Sequence, residues 1–397
     1  MKKIILGMGV LALAMFTLWW LQDAPLDDAA RQWLDTTPSK DKDNPAYAYL
    51  LGFGVPDTQS PAQQGRELAQ RQKTHPDLTL PNAYSELSST PLFCQTLDAT
   101  CLFKQQEKQA ESKALVARYH FLIDRYQTFL DFPYFSDNTP PRLNASVPDY
   151  SLLIAASRLQ SLAWANSDDP GPAMLSEIQR LRHWLAQDHS LISKMVANAI
   201  LAEKLQLTAL LVQKKMMPPP VFSPLTPAEK SFQSPMQKEF TLMAHFFIEE
   251  KYREGNEKAN WSEELRFKAG LKKHISVNRM LPMYQHYAKL ANKPADVIQE
   301  DNFHTAPATI GQRIRNPIGN ILLETGSPDF KDYLLRLAHL DARIRLMRHL
   351  DRSTQSGPVS NNPWTPGKDD TLTRQKKQLC FATAPDSDRY SSCLPLL

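Results

Sequence analysis

The chain has 397 residues, 42% of them hydrophobic and 22% charged, and a formal net charge of +4. That length accommodates one large or two ordinary domains with a real core, and so small a charge does not predict a nucleic-acid partner, which needs a concentrated basic face. Thirty prolines against thirteen glycines argue against a glycine-rich phosphate loop and for helices separated by stiff joints.

From Ile4 to Leu21 the chain is almost wholly apolar, with Lys2 and Lys3 before it and Asp23, Asp27 and Asp28 after it. A helix of that length spans roughly 27 Å, enough for the hydrocarbon core of a bilayer, and satisfies its own backbone polar groups there. Lysines favour the cytoplasmic side, and Trp19 and Trp20 fall where indoles favour the headgroup layer. The expectation is a single-pass signal anchor in an inner membrane, its N-terminus cytoplasmic and its body periplasmic. A cleaved leader needs small residues around the cut. A cut after Ala24 puts Gln22 at the third residue before it, where a small residue is needed, with Pro25 just beyond, and one after Ala30 puts Asp28 there. Residues 1–21 are therefore assigned to the cytoplasmic start and transmembrane anchor and 22–45 to a tether. A helical periplasmic body follows over 46–352, then a loop and C-terminal cap over 353–397.

Within the tether, 26–34 suits one short helix. The first packed element is expected at Ala46-Tyr47-Ala48-Tyr49-Leu50-Leu51, with a helix over 62–72 after it. Leu115, Tyr119, Leu122, Tyr126 and Phe129 repeat at intervals of four and three, one stripe of an amphipathic helix, which the Pro140-Pro141 and Pro148 region breaks. Leu152, Ala155, Leu159, Leu162 and Ala163 form the next stripe. Residues 173–215 are helical in character with a break at Asp188-His189-Ser190, and 192–212 belong to the centre of the core. Thr226-Pro227-Ala228-Glu229 is a capping box with proline at the first helical position, placed to open a helix carrying Phe240, Met243 and Phe247. Residues 263–289 read as helix interrupted or kinked near Pro282. Ser327-Pro328-Asp329 starts another helix, with Leu334, Leu337, Leu340, Ile344 and Met347 on one face. The Ser-, Gly-, Asn- and Pro-rich 353–368 is a loop, and Leu379-Cys380-Phe381 a short strand. The fold class is mostly α: a transmembrane helix, then a large antiparallel helical body with a small disulfide-closed C-terminal cap that suits a short β-hairpin.

The four cysteines fall into two local pairs, and in an oxidising periplasm the simplest connectivity is Cys94 with Cys101 and Cys380 with Cys393. Zinc ligation is the alternative, but neither spacing matches the usual ligand pairs.

Candidate chemistry is thin. His245 and Glu249 share a helix face with Glu250 adjacent, which without further ligands reads as a surface pair. His183, Asp188 and His189 cluster near a helix break, with nothing to set a metal geometry. No G-x-S-x-G elbow exists; Ser39-Lys40-Asp41-Lys42 matches S-x-x-K only inside the polar tether. Neither cysteine pair is C-x-x-C, which disfavours thioredoxin-like redox chemistry. Glu111-Ser112 offers the dipeptide of lytic transglycosylases without the G-L-M-Q-like segment expected downstream, and Glu111 falls in a charged first turn. Arg343, Arg345, Arg348 and Arg352 read as a solvated face, with anionic lipid or an acidic partner second. Trp164, Trp184, Tyr119 and Phe247 stand at core spacings. No catalytic set, metal site or cofactor is therefore assigned.

Asn44-Pro45-Ala46-Tyr47 with Leu50-Leu51-Gly52, Leu191-Ile192-Ser193-Lys194-Met195, and Asn316-Pro317-Ile318-Gly319-Asn320 resemble segments of uncharacterised membrane-anchored envelope proteins from proteobacteria. The resemblance implies the same compartment and helical character. Two functions follow as expectations. The favoured one is a non-enzymatic envelope protein, attached to the inner membrane through residues 4–21, whose body binds another protein or assists an assembly. The alternative is a periplasmic hydrolase of unfamiliar motif acting on cell-wall or envelope material, which needs a pocket gathering distant residues such as His183, His245 and Glu249.

Overall fold

A computed structural model of the chain describes residues 2–35, 44–94, 96–248, 269–326, 328–350, 359, 362–384 and 391–397. In chain order the helices are α1 (Lys2–Leu21), α2 (Asp28–Asp35), α3 (Pro45–Leu51), α4 (Pro61–Gln72), α5 (Ala99–Glu107), α6 (Gln109–Arg118), α7 (His120–Leu130) and α8 (Tyr150–Ala165). Then come α9 (Gly171–Leu185), α10 (Leu191–Gln213), α11 (Pro227–Lys230), α12 (Gln233–Ile248), α13 (Lys273–Leu290), α14 (Ala295–Glu300), α15 (Ile310–Arg315), α16 (Pro317–Gly326) and α17 (Lys331–Leu346). Strands β1 (Leu372–Gln375), β2 (Gln378–Phe381) and β3 (Leu394–Pro395) form an antiparallel sheet in that order.

α10 is the centre. It is apolar on nearly every side, as a helix enclosed by others must be, and it packs against α8, α9, α12, α17 and β3. By length and composition it also qualifies to cross a membrane, yet 72% of its most apolar window is buried within the body. α10 is therefore a core helix. Lys204 lies wholly buried in its middle, 3.1 Å from the equally buried Glu177 of α9. Lys204 Nζ also donates to the Ser157 carbonyl and Ser161 Oγ, and Tyr126 and Gln127 donate to the two carboxylate oxygens of Glu177. Each charge is thus compensated, as a buried charge requires.

α3 and α4 cross at glycines. A Cβ on Gly65 would stand 1.7 Å from the Ala48 carbonyl oxygen, and one on Gly52 2.2 Å from the Pro61 carbonyl oxygen. Only glycine permits backbones to approach so closely. The fully buried run from Ala46 to Leu51 follows from that approach.

Most expected elements appear, with four differences. The stripe expected on one helix is divided between α6 and α7, broken at Tyr119, and α5 before them ends at Lys108; the ψ angles of Lys108 and Tyr119 leave the helical region. The apolar stripe survives because Tyr119, Leu122, Tyr126 and Phe129 are all buried. The capping box at Thr226 and Glu229 forms, but its helix stops at Lys230, and α12 starts afresh at Gln233. Pro282 sits inside α13 without ending it. One interior proline costs about 3 kcal/mol, which burial of Val277, Met280, Leu281, Met283 and Tyr284 on the same helix outweighs. α17 begins at Lys331, after Asp329 accepts the Lys331 amide. Ser327 lies outside the described residues.

The described residues 22–35 include the short helix α2 and are bonded to the body. Asp23 accepts the amides of His274 and Ile275 at the first turn of α13, Asn278 exchanges hydrogen bonds with Pro25 and Asp27, and Ala30 is completely buried. Polar composition suggested a solvated linker there, but here the polar groups are spent on helix ends and backbone. Residues 36–43, including Ser39 to Lys42, lie outside the described residues.

The cysteines pair as expected, Cys94 with Cys101 and Cys380 with Cys393, so none of the four is available to zinc. The C-terminal cap is a β1–β2 hairpin with β3 added, fastened to the body at several points. Gln213 donates to the Pro395 carbonyl. The His339 ring meets Ser392 Oγ, and Trp364 Nε1 donates to the same hydroxyl. Arg343 reaches the Ser391 carbonyl; within α17 itself, Arg345 pairs with the buried Asp341. These two arginines therefore hold structure together instead of forming a solvated face. Arg348 is exposed, and Arg352 lies outside the described residues.

Candidate functional site

Between α7 and α8 runs a connection without regular structure, residues 131–149, far longer than most helix–helix links. Its backbone is anchored from both sides by buried polar groups. Asp137, 3% exposed, is the hub. One carboxylate oxygen accepts the Thr139 amide and hydroxyl, and the other accepts Tyr150 OH at 3.0 Å and Ser190 Oγ at 2.5 Å. Burial alone would push this carboxyl up, but Lys238 of α12 and the Ser190 and Thr139 hydrogen bonds hold it below the usual range. Lys238 Nζ donates to the Asp137 carbonyl and pairs with Asp188. Asp188 takes the hydroxyls of Ser136 and Ser234, and its backbone forms a parallel bridge with Ser136.

The far side of the loop is held as firmly. Asn44 Nδ2 donates to the Ser136 carbonyl, and Tyr47 OH reaches Thr139 Oγ1 and Gln72 Oε1. Gln72 Nε2 donates to the Ser146 carbonyl, while the Ser146 amide and hydroxyl donate to the carbonyls of Pro76 and Leu78. Phe135 of the loop packs into the core, while other side chains turn outward. Tyr134, Leu143 and Val147 are 44%, 64% and 42% exposed.

Beside Asp137, burial and the Asp137 charge push the Glu239 carboxyl up to about 7. Burial drives the Lys194 ammonium down to about 7, and its Nζ donates to the Leu185 carbonyl. His189 is completely buried, and desolvation with the Lys194 charge holds it near 3, hence neutral. Its Nε2 faces the Trp184 carbonyl at 2.6 Å and so carries the proton. Nδ1 is then the acceptor facing Ser193 Oγ at 3.0 Å. The contact is within serine–histidine reach, but neither side chain is exposed to solvent at all.

The residues singled out around the α9–α10 break have separate partners. His183 is exposed and bonds the Pro133 carbonyl and Gln187, His189 turns into the core, and Asp188 is committed to serines and Lys238. His245 lies on α12, and its expected partners Glu249 and Glu250 lie outside the described residues. Among the described residues no three His, Cys, Asp or Glu side chains are grouped to hold a metal. Glu111 pairs with Lys108 on the surface, while Ser112 is buried against the Gln105 carbonyl. Trp164, Trp184, Tyr119 and Phe247 are buried packing residues.

Sequence reasoning missed Asp137, Tyr150, Lys238 and Glu239, which come from three separate segments and match no motif. The available signal was the proline-bounded length of 131–149 itself.

A cavity of about 600 Å³ lies between the 301–307 segment, α13, α15 and α16. Arg279, Arg313 and Lys331 line it opposite Asp301, Glu324 and Asp329. Arg279 pairs with Glu324, Tyr287 OH donates to Asp329, and His286 stacks on Phe303 while bonding Asp301. With equal numbers of opposite charges, the cavity has no bias towards cationic or anionic ligands. No known family model matches this chain, and comparison with curated proteins and with solved structures finds no match to either.

Proposed function

We propose that this chain is a membrane-anchored protein of an oxidising extracytoplasmic compartment, a bacterial periplasm, whose helical body binds another protein of the envelope or assists its assembly. The observation that carries the binding role is the 131–149 loop. A long irregular segment is held rigid by buried hydrogen bonds while Tyr134, Leu143 and Val147 face solvent. Rigid presentation of apolar side chains on a loop lowers the entropic cost of association, a common device of recognition surfaces.

Support for anchoring comes from α1. Ile5, Met8, Val10, Leu11, Leu13 and Met15 are all more than half exposed, a costly arrangement in water and the natural one in lipid. α1 runs from Lys2 to Leu21 and contains the whole apolar stretch Ile4–Leu21. The exit segment is bonded into α13, which favours a retained helix over a removable leader. The two disulfides suit export, and the resemblance of the Asn44–Gly52 and Asn316–Asn320 segments to proteobacterial envelope proteins points the same way.

The test is a photo-crosslinking amino acid at Leu143 in the full chain, in native membranes, with Val221 as an exposed control. A discrete, repeatable protein adduct is expected from position 143 and none from 221. A chain that stays alone at position 143 across repeated captures would sink the reading.

A further inference from the structure

The last turn of α1 lies along α15. Trp20 Nε1 donates to the Ile314 carbonyl at 2.9 Å, Trp19 comes within 3.9 Å of a Cβ placed on Gly311, and the Arg315 guanidinium sits 5.1 Å over the Trp19 ring. Arg315 also donates to the Gln22 carbonyl, and Lys272 to that of Leu21. Beside this junction Ile310 is 79% exposed, Ile314 44% and, on α16, Ile321 60%. Arg313 is exposed among them.

We infer that α15 rests in the interfacial layer of the bilayer that α1 crosses, with Ile310 and Ile314 against the acyl chains and Arg315 and Lys272 at headgroup depth. The inference rests on the anchoring reading and deepens it. Indoles settle at headgroup depth, and whatever touches Trp19 and Trp20 shares that depth. α15 touches both. An apolar edge flanked by arginine and lysine is the composition of a segment lying in an interface, and the cations complement anionic lipid. The body would then be seated on the membrane at two points, which fixes its orientation as well as its attachment.

The experiment uses the full chain in nanodiscs of phosphatidylcholine, with and without phosphatidylglycerol. Nitroxide labels are attached at Ile310→Cys, Leu13→Cys or Val221→Cys, the native cysteines being paired. Collision with oxygen, which partitions into lipid, is compared with collision with a water-soluble nickel chelate. The expected oxygen-to-nickel ratio at positions 13 and 310 is several-fold above that at 221, rising further at 310 with phosphatidylglycerol. If 13 is lipid-exposed and 310 matches 221, the inference falls and the anchor stands. Shielding of 310 from both agents also overturns it, since a protein contact would then cover Ile310. Nickel access at 13 would remove the anchor and this inference together.

Discussion

Replacing Glu239 by Gln should make the protein more stable at pH 8 and leave it almost unchanged at pH 4.5. The Glu239 carboxyl is raised from 4.5 to about 7 by burial and by Asp137. Between those values the native state holds a proton that the unfolded chain has lost. Stability therefore falls as pH rises through that window and is fully restored below it. A shift of that size corresponds to about 3 kcal/mol at 1.36 kcal/mol per unit, reduced to about 2–3 kcal/mol because Glu239 is only partly enclosed. Gln keeps the shape and cannot ionise. Neither profile alone isolates the effect, because His189 and His339, held near 3 and near 4, slope the other way below their unfolded value. The difference between the two proteins does isolate it. Denaturant titrations of the detergent-solubilised full chain at several pH values between 4.5 and 8 would measure it. Adding Asp137→Asn should shrink the Glu239→Gln gain, since one of its two causes is gone. An equal Glu239→Gln effect at pH 4.5 and pH 8 would refute the assignment of an uncharged Glu239 to the site.

Lys204→Ala strands the buried Glu177 carboxylate, and a loss of about 3–5 kcal/mol is expected; Lys204→Met with Glu177→Leu should recover most of it, which paired denaturation curves would read. Gly65→Ala forces the α3–α4 crossing apart against the Ala48 carbonyl and should cost about 1–3 kcal/mol or more, whereas Gly326→Ala, with open space around it, should be near neutral in the same thermal melts. Cys380→Ser with Cys393→Ser opens a loop for which chain entropy assigns about 3 kcal/mol. Proteolysis within 372–395 should then precede global unfolding, a result detectable by mass spectrometry of the fragments.

What the amino-acid order determined alone was local. Helices announced themselves by period, as in Leu334, Leu337, Leu340, Ile344 and Met347, all buried in the structure, and by caps such as Thr226 with Glu229. The cysteine pairs were legible because short loops close with little entropy loss. Tertiary contacts decided the rest. Nothing in the order of residues says that Asp23 caps α13, that Arg343 and Arg345 serve the body instead of solvent, or that polar groups from α3, α8, α10 and α12 meet around Asp137. Periodicity and capping act within a few residues. A buried carboxylate, by contrast, takes its partners from wherever the packed chain brings donors within 3 Å or so, and that proximity exists only once the helices are assembled.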